Sequence, residues 1–409
     1  MRPLQIGPAH KTGMLAELVC SNSLRGAAIE NAVGLLKEEL ARLDSVIVSC
    51  ARATSVPAGG ALAVDRDRFS ALVEARIEAE ANIAVHREEV RTIPLDRPAI
   101  VACGPLPSES FSRSLEAVAG KRLYYYDAAA PVVAADSLEE SVMYRKSRYD
   151  KGDGDDYLNV PLDREQYAEL VRDLRTLERH QTKGFEEARY FEGCLPIEEM
   201  ADRGDEVLRF GPLKPVGLRD PRNGRTPYAV VQLRKENLEG TAYNLVGFQT
   251  RLAWPAQREA FGKLPGLHHA EWLRLGVMHR NTFIDSPRLL DSRLKLRGSE
   301  ALYFAGQITG AEGYVEAAAC GAMAAIHAAR AMRGLPAVDF PAATALSAVV
   351  AHLQNGVTPD FQPSNVTWAH FPVGSAAVGK RERRRLAAER ALAAVDAFAA
   401  ETLFAPAGY

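Results

Sequence analysis

Apolar residues at helical spacing (Ala32, Val33, Leu35, Leu36, Leu40 and Leu43) predict a helix over 26–43. Short β-branched runs predict strands at 45–48 and 83–85, with the turn VPAGGALAVDRDRF and a helix over 67–81 between them. RPAIVAC, at 97–103, reads as a buried strand stopped by Gly104-Pro105. The first 25 residues hold turn formers and functional side chains but no opening strand. Alternating strands and helices mark an α/β layer. From residue 105 the pattern changes. LYYYDAAAPVV, YLNV, YFEGCLP, LRFGPLKPVGL, YAVVQL and YNLVGFQT are short, aromatic, strand-like runs broken by Pro and Gly, with one polar helix at 163–181. They predict an inserted α+β unit. The α/β style returns at 302–332. An apolar helix at 343–353 follows, then a basic helix opening on GKRERRR, 379–385.

The stretch 302–323, LYFAGQITGAEGYVEAAACGAM, joins a short strand, a turn broken by Gly306, Gly310 and Gly313, and an Ala-rich helix from about residue 314 to 332. Glycines there let the backbone approach a ligand, and the helix N-terminus presents free N–H groups to an anion. The stretch resembles the late nucleotide-contacting segment of a flavoprotein, but an ordinary strand-to-helix turn reads the same. A dinucleotide site normally opens on a strand, GxGxxG, a helix and an acidic residue. The early glycines, Gly7, Gly13 and Gly26, have no such spacing. Spacing alone therefore supports half a dinucleotide site.

At 409 residues the chain has room for two or three domains. Its 50 Lys+Arg nearly balance 52 Asp+Glu, so any nucleic-acid surface is local. MRPLQIGPAHK lacks the apolar run of a secretory leader, and the longest low-charge helix carries Glu316 and His327, so no membrane contact is expected. Cys20, Cys50, Cys103, Cys194 and Cys320 are odd in number and form no CxxC pair. That pattern favours free thiols in a reduced cytoplasm and no metal site.

Ten longer strings carry more. PAHKTGMLAELVCSNSLRGAAIENAVGLLKEEL, VPAGGALAVDR, LYYYDAAAPVV, KSRYDKGDGDDYLN, YFEGCLPIEEMADRG, LRFGPLKPVGL, PYAVVQLRKEN, YNLVGFQT, GVMHRNTFIDSPRLL and LYFAGQITGAEGYVEAAACG together resemble, in order and across the chain, the folate- and FAD-dependent tRNA (uracil-5-)-methyltransferase family, TrmFO. The resemblance implies a Rossmann-like FAD-binding α/β domain with its first βαβ unit incomplete. That domain is expected at 1–104 and 296–335, an inserted α+β domain on the tRNA and folate side at 105–295, and a helical tail at 336–409. Met1-Arg2-Pro3 matches the end of the family's second strand, so a unit of roughly 30 residues is expected to be missing, through an internal start or a truncated gene. A chain without it is expected to hold FAD weakly.

The implied reaction moves a one-carbon unit from 5,10-methylenetetrahydrofolate to C5 of a T-loop uridine in tRNA, with FAD reduced by NADH or NADPH. Uracil C5 is a poor nucleophile until a thiolate adds at C6, and a base must then take the C5 proton. By resemblance Cys194 is that nucleophile. Cys20 is the second active-site cysteine, acting as base or guarding the one-carbon unit. Cys50, Cys103 and Cys320 are assigned to packing. Ser21, Asn22 and Ser23 are expected to cap the helix that follows. The cofactor is expected at Asn22, Gly104, Gly306, Gln307, Gly310, Gly313 and Glu316. His279, Arg280 and Asn281 are expected to hold folate or orient the flavin. Arg209, Lys214, Arg222, Arg225, Lys380, Arg381 and Arg384 are expected to meet tRNA. Asp285 and Val160 stand where the family usually has Asn and Cys. Two rivals stay open: a sibling flavoprotein acting on an anticodon uridine, and a non-catalytic RNA-binding chain. Oligomeric state is not legible.

Overall fold

The computed structural model describes residues 6–7, 9–120, 123–180, 195–355, 361–371 and 379–403. The strands are β1 (Ser23–Gly26), β2 (Ser55–Val56), β3 (Ala61–Val64), β4 (Ala99–Val101), β5 (Leu123–Ala128), β6 (Val132–Ala134), β7 (Tyr144–Arg145), β8 (Tyr157–Leu162), β9 (Ala229–Lys235), β10 (Ala242–Leu245), β11 (Trp272–Arg274), β12 (Met278–Phe283) and β13 (Leu302–Phe304). The helices are α1 (Ala32–Arg42), α2 (Val46–Ala53), α3 (Arg66–Glu78), α4 (Glu109–Ala119), α5 (Arg164–Thr176), α6 (Ile197–Asp202), α7 (Val207–Phe210), α8 (Trp254–Gly262), α9 (Ser286–Leu289), α10 (Tyr314–Met332), α11 (Ala345–Asn355) and α12 (Lys380–Thr402).

One core gathers around α1, whose Leu35, Leu36 and Leu40 are fully buried. Val315, Cys320 and Met323 of α10 join it, as do Leu346 and Leu353 of α11 and Ala391 and Val395 of α12. Beside it, β13 pairs in parallel with β4, Leu302 opposite Ala99, and the antiparallel order β1-β3-β2 forms a second small sheet. Another core lies in the middle of the chain, on a six-stranded antiparallel sheet of order β11-β6-β10-β9-β8-β7. Six consecutive residues of its strand β9, Ala229 to Arg234, are buried, so neither face of that strand meets water. Helix α5 covers this core and starts on a capping box between Asp163 and Gln166.

Several sequence expectations need correction. The segment 45–48 is not a strand. Ser45 caps α2, accepting from the Val48 N–H at 3.4 Å, and burial falls on Val48, Cys50 and Ala51, with Val46 exposed. The β-branched Val-Ile-Val run misleads because a strong N-cap and tertiary packing outweigh weak propensity. The segment 83–85 is also no strand, and Ile83 and Val85 are exposed. The helix expected from 26 begins at Ala32 with Asn31 as N-cap, so Ser21–Ser23 do not cap it. They lead into β1, which the sequence reading lacked. LRFGPLKPVGL holds the short helix α7 and then turns, because Gly211, Pro212 and Pro215 interrupt any ladder. Cys194 and most of YFEGCLP lie outside the described residues.

A buried carboxylate ties the C-terminal helices to α1. Glu39 is fully buried and accepts the Ala345 and Leu346 N–H groups at 2.7 and 2.9 Å, filling the open N-terminus of α11. Burial pushes its carboxyl up to about 7, against the pull of those two N–H groups and of Arg42. With the folded value above the ordinary 4.5, its contribution is fully present below about pH 4.5 and is lost as pH rises through about 7. Glu39→Gln should therefore flatten the loss of melting temperature between pH 5 and 7.5. A variant whose melting profile tracks the parent across that range would remove Glu39 from this role.

Candidate active site

A cavity of about 210 Å³ opens between the β1 approach, the β5–β12 ribbon and the start of α10. Cys20, Arg25, Asp127, Ala128, Gln249, His279, Asn281, Gln307, Gly313 and Tyr314 are among its lining residues. Its size is below the roughly 300–1,000 Å³ of pockets that enclose a whole drug-sized ligand. It suits one flat ring system with the rest of a larger ligand outside.

The Cys20 N–H donates to the Tyr314 hydroxyl at 2.9 Å, and Sγ donates to the Ala128 carbonyl at 3.5 Å. Burial, and then the charge of Cys20, raise the Tyr314 hydroxyl above the usual phenol range, so it stays protonated. Asn22 is buried beneath, donating to the Val64 and Lys235 carbonyls at 3.0 and 2.9 Å and accepting from Arg234 at 2.9 Å. The remaining described cysteines are poor nucleophiles. Burial pushes the Cys103 and Cys320 thiols up to about 12, and it raises Cys50 as well.

The β5–β12 register explains the next group. His279 lies opposite Asp127 and Arg280 opposite Tyr126. Alternation along β12 sends His279 and Asn281 to the cavity, whereas Arg280 lies over the Tyr124 ring, 3.8 Å from its centroid, and does not line the cavity. Burial, and then His10, hold His279 below its ordinary value, so it meets a ligand as a neutral ring.

The glycines of the turn before α10 act through backbone shape. Gly306, Gly310 and Gly313 have φ of +78°, +86° and +108°. A Cβ on Gly313 would fall 2.3 Å from Glu316 Oε2 and 3.1 Å from Arg25 Nη2. Gly104, with φ +68°, precedes Pro105 of the lining. No side chain caps α10, so its N-terminal N–H groups are left for a ligand. Glu316, in its first turn, pairs with Arg25 and accepts the Val366 N–H at 2.9 Å. Its Oε2 is buried with no hydrogen-bond partner among the described residues.

The basic residues expected to meet tRNA are not in the cavity lining, and they divide. Arg209 bonds the Tyr228 carbonyl and Glu206 and stacks over the Tyr228 ring. Arg222 is taken up by Asp220 and the Ser141 carbonyl. Arg225 is exposed and Lys214 half-buried. Lys380, Arg381 and Arg384 lie in the first turns of α12, Arg381 facing Glu30 and Arg384 over the Trp368 ring. The sequence reading missed Arg25 and Tyr314. Both lie inside strings it quoted, but their partners are nearly 300 residues away.

Known proteins place the chain. The family described as glucose inhibited division protein A matches residues 4–336. The methylenetetrahydrofolate–tRNA-(uracil-5-)-methyltransferase TrmFO of Geobacter sulfurreducens is 55% identical over 396 residues, 97% of this chain and 91% of that protein. The protein of the same name from Heliobacterium modesticaldum is 54% identical over 405 residues, 98% of this chain and 92% of that protein. The chain belongs to the TrmFO family. GidA of Aquifex aeolicus in its form II crystal superposes with a TM-score of 0.67 at 16% identity, over 94% of this chain and 67% of that chain. That likeness shows a shared α/β fold. Within the TrmFO family fold, the cavity beside Cys20 is where the glycine turn, the free end of α10 and the β12 side chains converge.

Proposed function

We propose that the chain carries out the reaction its relatives are named for: folate-dependent C5-methylation of a T-loop uridine in tRNA, with FAD as the bound cofactor and NADH or NADPH as reductant. The observation that carries this reading is the convergence of Cys20, His279, Asn281, Gln307 and Gly313 on one cavity, in a chain 50–55% identical to TrmFO proteins. The residues present fit the ring and pyrophosphate contacts of half a flavin dinucleotide site. The uncapped end of α10 suits its pyrophosphate, and Gln307 and Asn281 offer polar contacts to a ring. When bound, reduced FAD supplies the electrons that turn a methylene into a methyl group.

This chain's own residues do the rest. The Cys194 thiolate adds to uracil C6, which makes C5 nucleophilic toward the one-carbon unit. Cys20, on the cavity wall, takes the C5 proton, the C–H electron pair breaks the bond between the one-carbon unit and the nitrogen that carries it, and reduction of the resulting exocyclic methylene to methyl expels Cys194 from C6. Tyr314 holds Cys20 through its backbone and stays protonated. His279 and Asn281 orient folate or the ring. Segments 1–104 and 296–335 serve the cofactor and 105–295 the tRNA and folate side, and the tail 336–409 completes the first core. The exposed Arg225 and the α12 turns are the stronger candidates for tRNA phosphates, since Arg209 and Arg222 are already satisfied internally. Among the described residues no helix is long and apolar enough to cross a membrane, and no group of side chains could hold a metal ion. An odd number of cysteines, with the described ones free, fits a cytoplasmic protein.

Position mapping tests the proposal. Flavin-loaded protein with reductant and 5,10-methylenetetrahydrofolate should methylate an intact tRNA transcript in its T loop and leave the anticodon unchanged. Modification confined to the anticodon would replace this reading with the sibling activity.

A further inference from the structure

The segment that carries Cys20 is gripped by guanidinium groups from elsewhere in the chain. Arg66, the first residue of α3, donates to the Leu18 carbonyl. Arg274, the last residue of β11, donates Nη1 to the Val19 carbonyl at 3.2 Å and Nη2 to the Cys20 carbonyl at 3.3 Å. Arg234, on β9, donates to Ser21 Oγ at 2.8 Å and Asn22 Oδ1 at 2.9 Å. One carboxylate, Glu236, sits among these three cations, paired with Arg66 at side-chain exposures of 8% and 15%. Tyr314 closes the opposite side as a neutral hydroxyl.

With Asp127, which lines the cavity beside Cys20, three cations stand against two carboxylates, a positive surplus around the thiol. Neighbouring groups feel it only after burial, and Arg66 is itself raised, against burial, by Glu236. Lys11 is held below its ordinary value by burial and then by the charges of Arg274 and Arg66, with Glu17 and Glu236 opposing. Arg274 is itself lowered by burial and then by Arg66. The Arg274 Nε is buried with no hydrogen-bond partner among the described residues, so the fold does not fully compensate for keeping this cation there. A neutral donor pair could also bond the two carbonyls, more weakly and without a charge. The surplus charge is what distinguishes an arginine here.

We propose that Arg274 is a positioning residue for Cys20: its fork fixes the Val19 and Cys20 carbonyls so that the thiol faces the cavity, and its charge, with that of Arg66, supplies a positive field in which Sγ works as an anion. A base that takes a proton from carbon starts as thiolate and ends as neutral thiol, so the sign of the local field bears on the step. The proposal rests on the reading of Cys20 as a residue of the methylation site. It also gives the inserted segment a part in that site, because Arg274 and Arg234 come from its sheet.

The field can be measured without turnover. The purified chain is alkylated at neutral pH with anionic iodoacetate or neutral iodoacetamide, and the Cys20 peptide is quantified by mass spectrometry. The ratio of the two rates reports local charge, because accessibility and thiolate fraction largely cancel. Arg274→Met should lower the iodoacetate-to-iodoacetamide ratio at Cys20 roughly threefold, the effect of a unit charge several ångströms away at high effective dielectric. Arg274→Lys should restore it, and Arg274→Gln, which keeps donors without charge, should behave like Met. A small free thiol added to the reaction serves as the internal reference. An unchanged ratio in the Met and Gln variants, or a Lys variant that matches Met, would overturn the proposal. Methyl transfer is assayed separately, so its failure would remove the functional reading and leave this ratio interpretable.

Discussion

Cys194→Ala should abolish methyl transfer, by at least roughly a thousandfold, and leave flavin binding unchanged. Uracil C5 attacks a one-carbon electrophile only after C6 carries a nucleophile, and no neighbouring group of ordinary basicity substitutes for a thiolate there. Among the described cysteines, Cys50, Cys103 and Cys320 are held as neutral thiols by burial, so none can take over. Ile197, three residues beyond Cys194, donates its N–H to the Gln249 carbonyl at 2.8 Å, and Gln249 lines the cavity. Glu198 next to it is fully buried and bonded to Thr250, so the described chain from Ile197 onward is anchored beside one residue of the cavity lining. Denaturing mass spectrometry after incubation with a 5-fluorouridine tRNA is the check. The parent should trap a covalent protein–RNA adduct and the alanine variant none. An adduct that survives the substitution would take the nucleophile role away from Cys194.

Gly313→Ala should cost several kcal/mol of stability and most of the flavin affinity. At φ +108° and ψ 149° Gly313 occupies a region that an L residue enters at about 1–3 kcal/mol. The new Cβ would also fall 2.3 Å from Glu316 Oε2 and 3.1 Å from both Arg25 Nη2 and Asn365 Nδ2. Glu316 would have to shift its Oε2, straining a pair with Arg25 in which its own side chain is 1% exposed. Breaking such a buried pair outright costs about 3–5 kcal/mol. The disturbed groups sit at the α10 N-terminus, where the dinucleotide is proposed to bind. Gly321→Ala, in the same helix with nothing within 4 Å of its Cβ, is the matched control and should be stabilising by up to about 1 kcal/mol. Flavin absorbance per protein and melting with added FAD read both effects. A Gly313→Ala protein that melts and binds flavin like the Gly321→Ala protein would contradict this account of the turn.

The sequence was most informative where local chemistry and tertiary structure agree. The 302–332 strand, turn and helix appear as β13 and α10 because the glycines there have no substitute at their φ values. The strand at 97–103 and the helices at 67–81 and 163–181 hold, with ends shifted by a few residues. The segment 45–48 failed because propensity is weak beside a cap and a buried face. β1 was missed because its pairing with β3 is long-range and its alternation is only four residues long. In the site, motif residues were legible one at a time, but the partners that make them work were not. Arg25, Tyr314, Arg234 and Arg274 reach Cys20 and its neighbours, or Glu316, across 200 to nearly 300 residues of chain. Arg280 shows the converse. It belongs to the right motif, but strand alternation turns it onto Tyr124 and away from the cavity.

The origin of the transferred carbon is the most direct measurement of the central claim. Flavin-loaded protein is given 5,10-methylenetetrahydrofolate isotopically labelled in its methylene group, unlabelled S-adenosylmethionine, NADH or NADPH, and an unmodified tRNA transcript. The nucleosides are then analysed by mass spectrometry. The account predicts 5-methyluridine in the T loop carrying the folate label, formed only when reductant is present. Unlabelled 5-methyluridine, or labelled product formed without any reductant, would contradict it.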